Sequence, residues 1–145
     1  MSRGRLLLAL FALAALPSLG RFGNGFVFDD QAMIVEGEVI HDLSNLPRAW
    51  TSRTMFVSAR DDGTTDSVDT YRPLSVTTFF VDAAWSGRSP FGYHLTNLLL
   101  HVACTWLLFF VSLRLWPDEE RSAAFVAAAF FATHPWLVEA HVWIN

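Results

Sequence analysis

Residues 95–113 carry no formally charged side chain. Coiled as α-helix, they extend about 28 Å, close to the ~30 Å hydrocarbon core of a bilayer. A chain containing such a run must either cross a membrane with it or bury it on all sides. The polar residues on and just before it are ordered. His94, Asn97, His101 and Thr105 follow i, i+3, i+7, i+11, which puts them on one face of a helix. A polar stripe on a spanning helix turns to the bundle interior, because lipid cannot satisfy it. Two more apolar blocks, 6–19 and 123–138, complete the pattern. The chain of 145 residues is 52% hydrophobic and only 17% charged, below the usual quarter. Clustering of the apolar residues predicts an all-α membrane protein with about three transmembrane helices, joined by a long external loop that carries short interfacial helices.

Arg3 and Arg5 ahead of residues 6–16 give the N-terminus the form of a signal sequence or signal anchor. Ser18-Leu19-Gly20 also reads as small-x-small before a cleavage point. The block to Leu19 is short for a span, unless Pro17, Gly20 and Gly23 are accommodated as kinks. The arginines hold this end on the cytoplasmic side and send residue 21 onward outside. The domain division is therefore 1–20 as anchor, 21–93 as an external (periplasmic or lumenal) loop, and 94–145 as the second and third spans. The ending at Val142-Trp143-Ile144-Asn145, mid-pattern, reads as a truncated chain.

Within the loop, 29–39 predicts a short helix with Asp29 as its N-cap. A second helix, capped by Asp42 or Ser44, reaches Trp50 and lies at the interface. Residues 58–70 read as a flexible polar loop, without the register of a calcium site. Pro73 opens a helix that Gly87 ends, and Ser89-Pro90-Phe91-Gly92 reads as a turn. The hydrophilic stretch 114–121 is a cytoplasmic turn. The alanine-rich 122–133 is too short to span unless it is buried or continues past Pro135 with a kink. With three crossings, Glu139 emerges on the same side as Asp29 and Asp30. Net charge is −4, which gives nucleic acid nothing to bind. Cys104 is the single cysteine, so no internal disulfide forms.

Four motifs occur in order: Phe28-Asp29-Asp30; Tyr71-Arg72-Pro73-Leu74; Tyr93-His94, then Asn97-Leu98-Leu99-Leu100-His101; and His134-Pro135 followed by Glu139. Together they resemble the amino-terminal region of the multi-spanning GT-C glycosyltransferases, in the tetratricopeptide-bearing O-mannosyltransferase-like branch and its bacterial relatives. That resemblance implies an inverting transferase of a multi-pass, bacterial inner membrane. It implies a polyprenyl-phosphate sugar as donor and a protein or glycan hydroxyl as acceptor. Asp29 or Asp30 would be the base, with the other capping a helix. Arg72 would meet the departing lipid phosphate or bond loop carbonyls. Glu139 would orient the acceptor or His134, or pair with Arg72. His94 and His101 would serve the substrate site or ordinary interhelical bonds. No metal ligand set is implied beyond a divalent ion bridging Asp30 and Glu139. The other readings are a non-catalytic membrane scaffold and an exported domain behind a cleaved signal peptide.

Overall fold

A computed structural model of the chain describes residues 2–27, 30–52, 57–59, 65–67, 71–116, 121–137 and 144. It divides into two compact units, 1–23 with 94–143 and 24–93 with 144–145.

The first unit packs three helices: α1 (Arg3–Ala15), α4 (Pro90–Leu115, from residue 94 onward) and α5 (Arg121–Thr133). After Ala15 the chain stays helical. It tightens into a 3-10 helix over Leu16–Gly23, which the absent N–H of Pro17 permits within a first turn. The Ser18 hydroxyl donates to the Ala14 carbonyl at 3.0 Å across the junction. At the rises of the two helix types, Arg3–Gly23 covers about 35 Å, so the length deficit read from the sequence disappears. Leu6, Leu10 and Ala14 of α1 repeat every fourth residue and are buried, as are Ala124, Ala128 and Ala132 of α5. Alanine at each contact lets helix backbones approach closely. Phe109 joins the Leu6–Ala128 cluster, and Leu98 and Val102 join the Ala14–Ala132 cluster. The Trp106 indole N–H donates to the Leu7 carbonyl at 3.1 Å.

Arg3–Gly23 and Pro90–Leu115 are both long and apolar enough to cross a bilayer, yet only 33% of each hydrophobic window is buried. The core helix of a soluble protein would be mostly enclosed. Here Leu8, Leu16, Leu19, Leu99, Leu107 and Phe110 stand exposed, as lipid-facing residues do. The protein is an all-α membrane protein, and this geometry disfavours an exported soluble domain. The third apolar helix, Arg121–Thr133, is shorter. It stops before Pro135, and a further turn follows in which Leu137 N–H donates to the His134 carbonyl at 3.0 Å.

The second unit gathers short elements around α3 (Pro73–Ser86). The helix expected over 29–39 forms only a π-helical turn, Gln31–Val35, and a separate 3-10 turn, Val39–His41. Next come a 3-10 turn, Leu43–Asn45, and α2, Arg48–Thr51. Asp42 caps the former, accepting the Ser44 N–H at 2.9 Å. That backbone donor, together with the Ser44 side chain, holds the Asp42 carboxyl below its ordinary value. The 58–70 stretch is not simply loop: β1 (Val57–Ala59) and β2 (Thr65–Ser67) pair antiparallel, Ser58 opposite Asp66. The paired backbone groups of the two strands satisfy one another.

α3 begins at Pro73 and ends before Gly87, which adopts φ +59°. The sequence places a turn at 89–92, whereas the structure starts α4 at Pro90 itself. Proline serves equally as a first helical residue, and sequence alone does not choose between the two uses. Gly92 makes the corner possible: a Cβ there would collide with Ser86.

Candidate functional site

The described site residues fall in two groups, one in each unit. In the second unit, Asp30 precedes the π-helical turn and is 3% exposed. Its backbone N–H donates to the Val27 carbonyl at 3.1 Å, and Val27 N–H donates back to Asp30 Oδ2 at 3.3 Å. Residues 27–30 are thus closed reciprocally. The Gln31 amide adds a bond to the Phe26 carbonyl at 2.8 Å. The Asp30 carboxylate makes no cap bond to the π-helical turn, and the cap expected at Asp29 lies outside the described residues.

Phe26 meets Tyr93 edge-on, with centroids 5.5 Å apart. Tyr93 is fully buried, and its hydroxyl donates to the Gly87 carbonyl at 3.0 Å. This one side chain therefore links the Asp30 turn to the end of α3. Asp82 is the second buried carboxylate, 2% exposed. Its Oδ1 accepts the Trp85 indole N–H at 3.4 Å, and it lies near enough for its charge to act on the Tyr93 phenol. The sequence analysis passed over Asp82. Its signal was isolation, as the sole charged residue in Pro73–Ser86.

Arg72 is exposed at the start of α3, where its carbonyl accepts Val76 N–H at 3.0 Å. Among the described residues it forms no ion pair. Arg88 does, reaching Glu38 at 2.7 Å and the Val35 carbonyl at 2.8 Å.

In the first unit the polar stripe of α4 is turned inward: His94, His101 and Thr105 are buried. His101 Nε2 lies 3.1 Å from the Ala132 carbonyl, and the ring stacks on Phe131 at 5.6 Å. The Thr105 hydroxyl donates to the His101 carbonyl at 2.9 Å. Arg21, which the sequence reading treated only as the first residue past the anchor, is 2% exposed. Its Nε donates to the Ser18 carbonyl at 2.9 Å. The signal was again isolation: Arg21 is the only charged residue between Arg5 and Asp29. His134 is half-buried, edge-on to Phe130 at 5.0 Å.

Asp29 and Glu139 lie outside the described residues, and with them the carboxylate pair and the bridging metal read from the sequence. Among the described residues no group of three or more His, Cys, Asp or Glu side chains is placed to hold a metal ion.

Comparison with known proteins then supplies named relatives. The chain is 37% identical over 132 residues to protein O-mannosyl-transferase Tmtc1 of Drosophila melanogaster, covering 89% of this chain and 14% of that protein. It is 33% identical over 133 residues to human protein O-mannosyl-transferase TMTC1, covering 91% and 15%. Against protein O-mannosyl-transferase F38B6.6 of Caenorhabditis elegans it is 31% identical over 137 residues, covering 94% and 19%. Over most of its length the chain is similar, at 31–37% identity, to these proteins named for the TMTC family of protein O-mannosyl-transferases. It spans less than a fifth of the length of these curated relatives, all of them animal proteins. No family model matches the chain, and no solved structure does. The aligned stretch takes in both units, so the Asp30 turn and the polar face of α4 belong to the part that these TMTC proteins share in length with this chain.

Proposed function

We propose that the chain is part of a multi-pass GT-C membrane glycosyltransferase that transfers a mannosyl residue, with inversion, from a polyprenyl-phosphate donor to a protein or glycan hydroxyl. The observation that carries this is identity of 31–37% across nine-tenths of the chain to proteins named for O-mannosyl transfer. The full-length protein would include tetratricopeptide repeats. Residues 21–93 and Glu139 are on the lumenal or periplasmic side, and 114–121 on the cytoplasmic side. The host membrane inferred from the sequence, a bacterial inner membrane, draws no support from the animal relatives.

In the reaction, the acceptor oxygen attacks the anomeric carbon as the bond from that carbon to the phosphate oxygen breaks. The acceptor proton passes to a carboxylate of Asp29 or Asp30, and the electron pair leaves with the lipid phosphate. A base must stand within hydrogen-bond reach of the hydroxyl. Arg72, exposed and unpaired among the described residues, supplies a guanidinium for the growing phosphate charge. His94, His101, His134 and Glu139 are the further residues proposed to contact substrate.

The test uses Asp29→Asn and Asp30→Asn in the full-length protein. Asparagine keeps an oxygen for Val27 N–H but cannot take a proton at neutral pH, so folding and catalysis separate. Transfer from a synthetic polyprenyl-phosphate mannose should fall by about 10²- to 10⁴-fold in at least one variant, at unchanged membrane abundance. Activity retained in both variants overturns the assignment.

A further inference from the structure

Asp30 stands at the head of a π-helical turn of only five residues, Gln31–Val35. So short a helix does not hold itself, and single π-helical turns recur at functional sites. What fixes this one lies in the same unit, on the corner formed by residues 86–93. Ahead of Asp30, Phe26 packs edge-on against Tyr93 at 5.5 Å. Past it, Met33 and Ile34 are buried in the core that contains Tyr93 and Phe79. At the far end Arg88 Nε donates to the Val35 carbonyl at 2.8 Å, and Arg88 Nη2 donates to Glu38 Oε1 at 2.7 Å. The segment 26–38 is therefore gripped before and after its buried carboxylate by two residues of one corner.

The corner is bonded within itself. The Tyr93 hydroxyl donates to the Gly87 carbonyl at 3.0 Å. The Ser86 hydroxyl donates to the Ser89 carbonyl at 2.9 Å and accepts the Gly92 N–H at 3.2 Å. Arginine suits the outer grip, since its planar fork serves two acceptors at once. The Arg88 and Glu38 side chains are 46% and 80% exposed, and an ion pair so open to solvent adds little to stability. Its consequence is position.

We propose that Arg88 is a positioning residue, which together with the Tyr93 contact holds the Asp30 carboxylate where the acceptor hydroxyl must meet it. This rests on the reading of Asp30 as the base. The proton passes only across hydrogen-bond distance. A displacement of about 1 Å costs on the order of 10²-fold in rate, so releasing one of two grips should cost about tenfold.

Tyr93 is buried and its loss endangers the fold, so exposed Arg88 carries the test. Arg88→Met, Arg88→Lys and Asp30→Asn are compared with the parent in the full-length protein, using synthetic polyprenyl-phosphate mannose and a serine- and threonine-containing acceptor peptide. Arg88→Met keeps the stem and loses both donors. It should lower kcat about tenfold at unchanged donor KM and unchanged Tm. Hydrogen exchange should quicken at the Asp30 and Glu36 amides, which donate to the Val27 and Gln31 carbonyls, while α3 keeps its protection. Arg88→Lys, able to serve one acceptor of the two, should recover part of kcat. An unchanged kcat in Arg88→Met overturns the proposal. A raised donor KM at unchanged kcat overturns it in favour of a contact with the donor phosphate. Loss of transfer matched by loss of folded protein overturns it in favour of a purely structural clamp. Full transfer by Asp30→Asn removes Asp30 as the base, and the proposal with it. An inactive Asp30→Asn beside a fully active Arg88→Met leaves the base in place and strikes only the positioning role.

Discussion

The two units of this chain handle buried polarity in opposite ways. The unit built from α1, α4 and α5 encloses Arg21, His94 and His101, together with the hydroxyls of Ser18, Thr105 and Ser112. The unit around α3 encloses two carboxylates, Asp30 and Asp82. One residue of each set is held by a local backbone bond: Arg21 donates to the Ser18 carbonyl, and Asp30 accepts the Val27 N–H. Burying an ionisable side chain is expensive unless it is paired and bonded, and in a membrane protein such residues mark function more often than stability. The contrast separates a carboxylate-bearing region from a basic, imidazole-bearing one.

The largest effect on that contrast should come from breaking the small-residue packing of the first unit. Ala128→Leu forces bulk into the contact where Ala128 is fully buried beside Leu6 and Leu10, and should destabilise by about 3 kcal/mol. Ala127→Leu, on the exposed side of the same helix, should change little. Hydrogen exchange in lipid nanodiscs checks it: amides of α1 and α5 should open faster in Ala128→Leu, with those of α3 unaffected. Equal acceleration in α3 would dissolve the distinction between the units.

Arg21→Ala comes next, at about 2 kcal/mol for a charged hydrogen bond and its packing. Arg21→Lys should recover only part of the loss, since one ammonium cannot reproduce a planar fork. Thermal unfolding in detergent micelles resolves the three variants, and full recovery in lysine would reduce Arg21 to a point charge. In the second unit, Gly92→Ala drives a methyl into Ser86 and should cost about 1 kcal/mol. Gly87→Ala should cost a similar amount or slightly less, because φ is +59° there. Melting temperatures of the two variants should therefore fall together.

The smallest effect concerns Asp42. Its carboxyl is depressed by the Ser44 N–H, so the folded form gains from the charged state. That contribution is present above the ordinary aspartate value near 4 and fades as pH falls through the lower folded value. Unfolding measured from pH 5 to pH 2 should lose an acid-limb component in Asp42→Ala. An identical acid limb in variant and parent would remove the cap from the account.

Elements whose signals are local were legible. Pro73 and Gly87 bracket α3, and the i, i+3, i+7, i+11 spacing turned His94, His101 and Thr105 to one face, which is the buried one. Where a residue type serves two conformations, the reading failed: Pro90 opens α4 rather than a turn. Residues 29–39 promised one helix and yielded two short turns interrupted near Gly37, because no long apolar face is present to reward continuity. Arg21 and Asp82 were passed over since a lone charge in an apolar run looks like an interruption until its surroundings are known.

Periodicity and hydropathy are properties of the chain itself, so the helical class, the membrane-crossing runs and the motif order that matches a glycosyltransferase family were present in the sequence alone. Burial is not such a property. Whether Asp30 meets water or the Val27 amide, whether Arg21 lies outside a bundle or within it, and whether Arg88 meets solvent or the Val35 carbonyl depends on which distant segments pack nearby. Those contacts arise between residues far apart in the chain, and only the tertiary structure decided them.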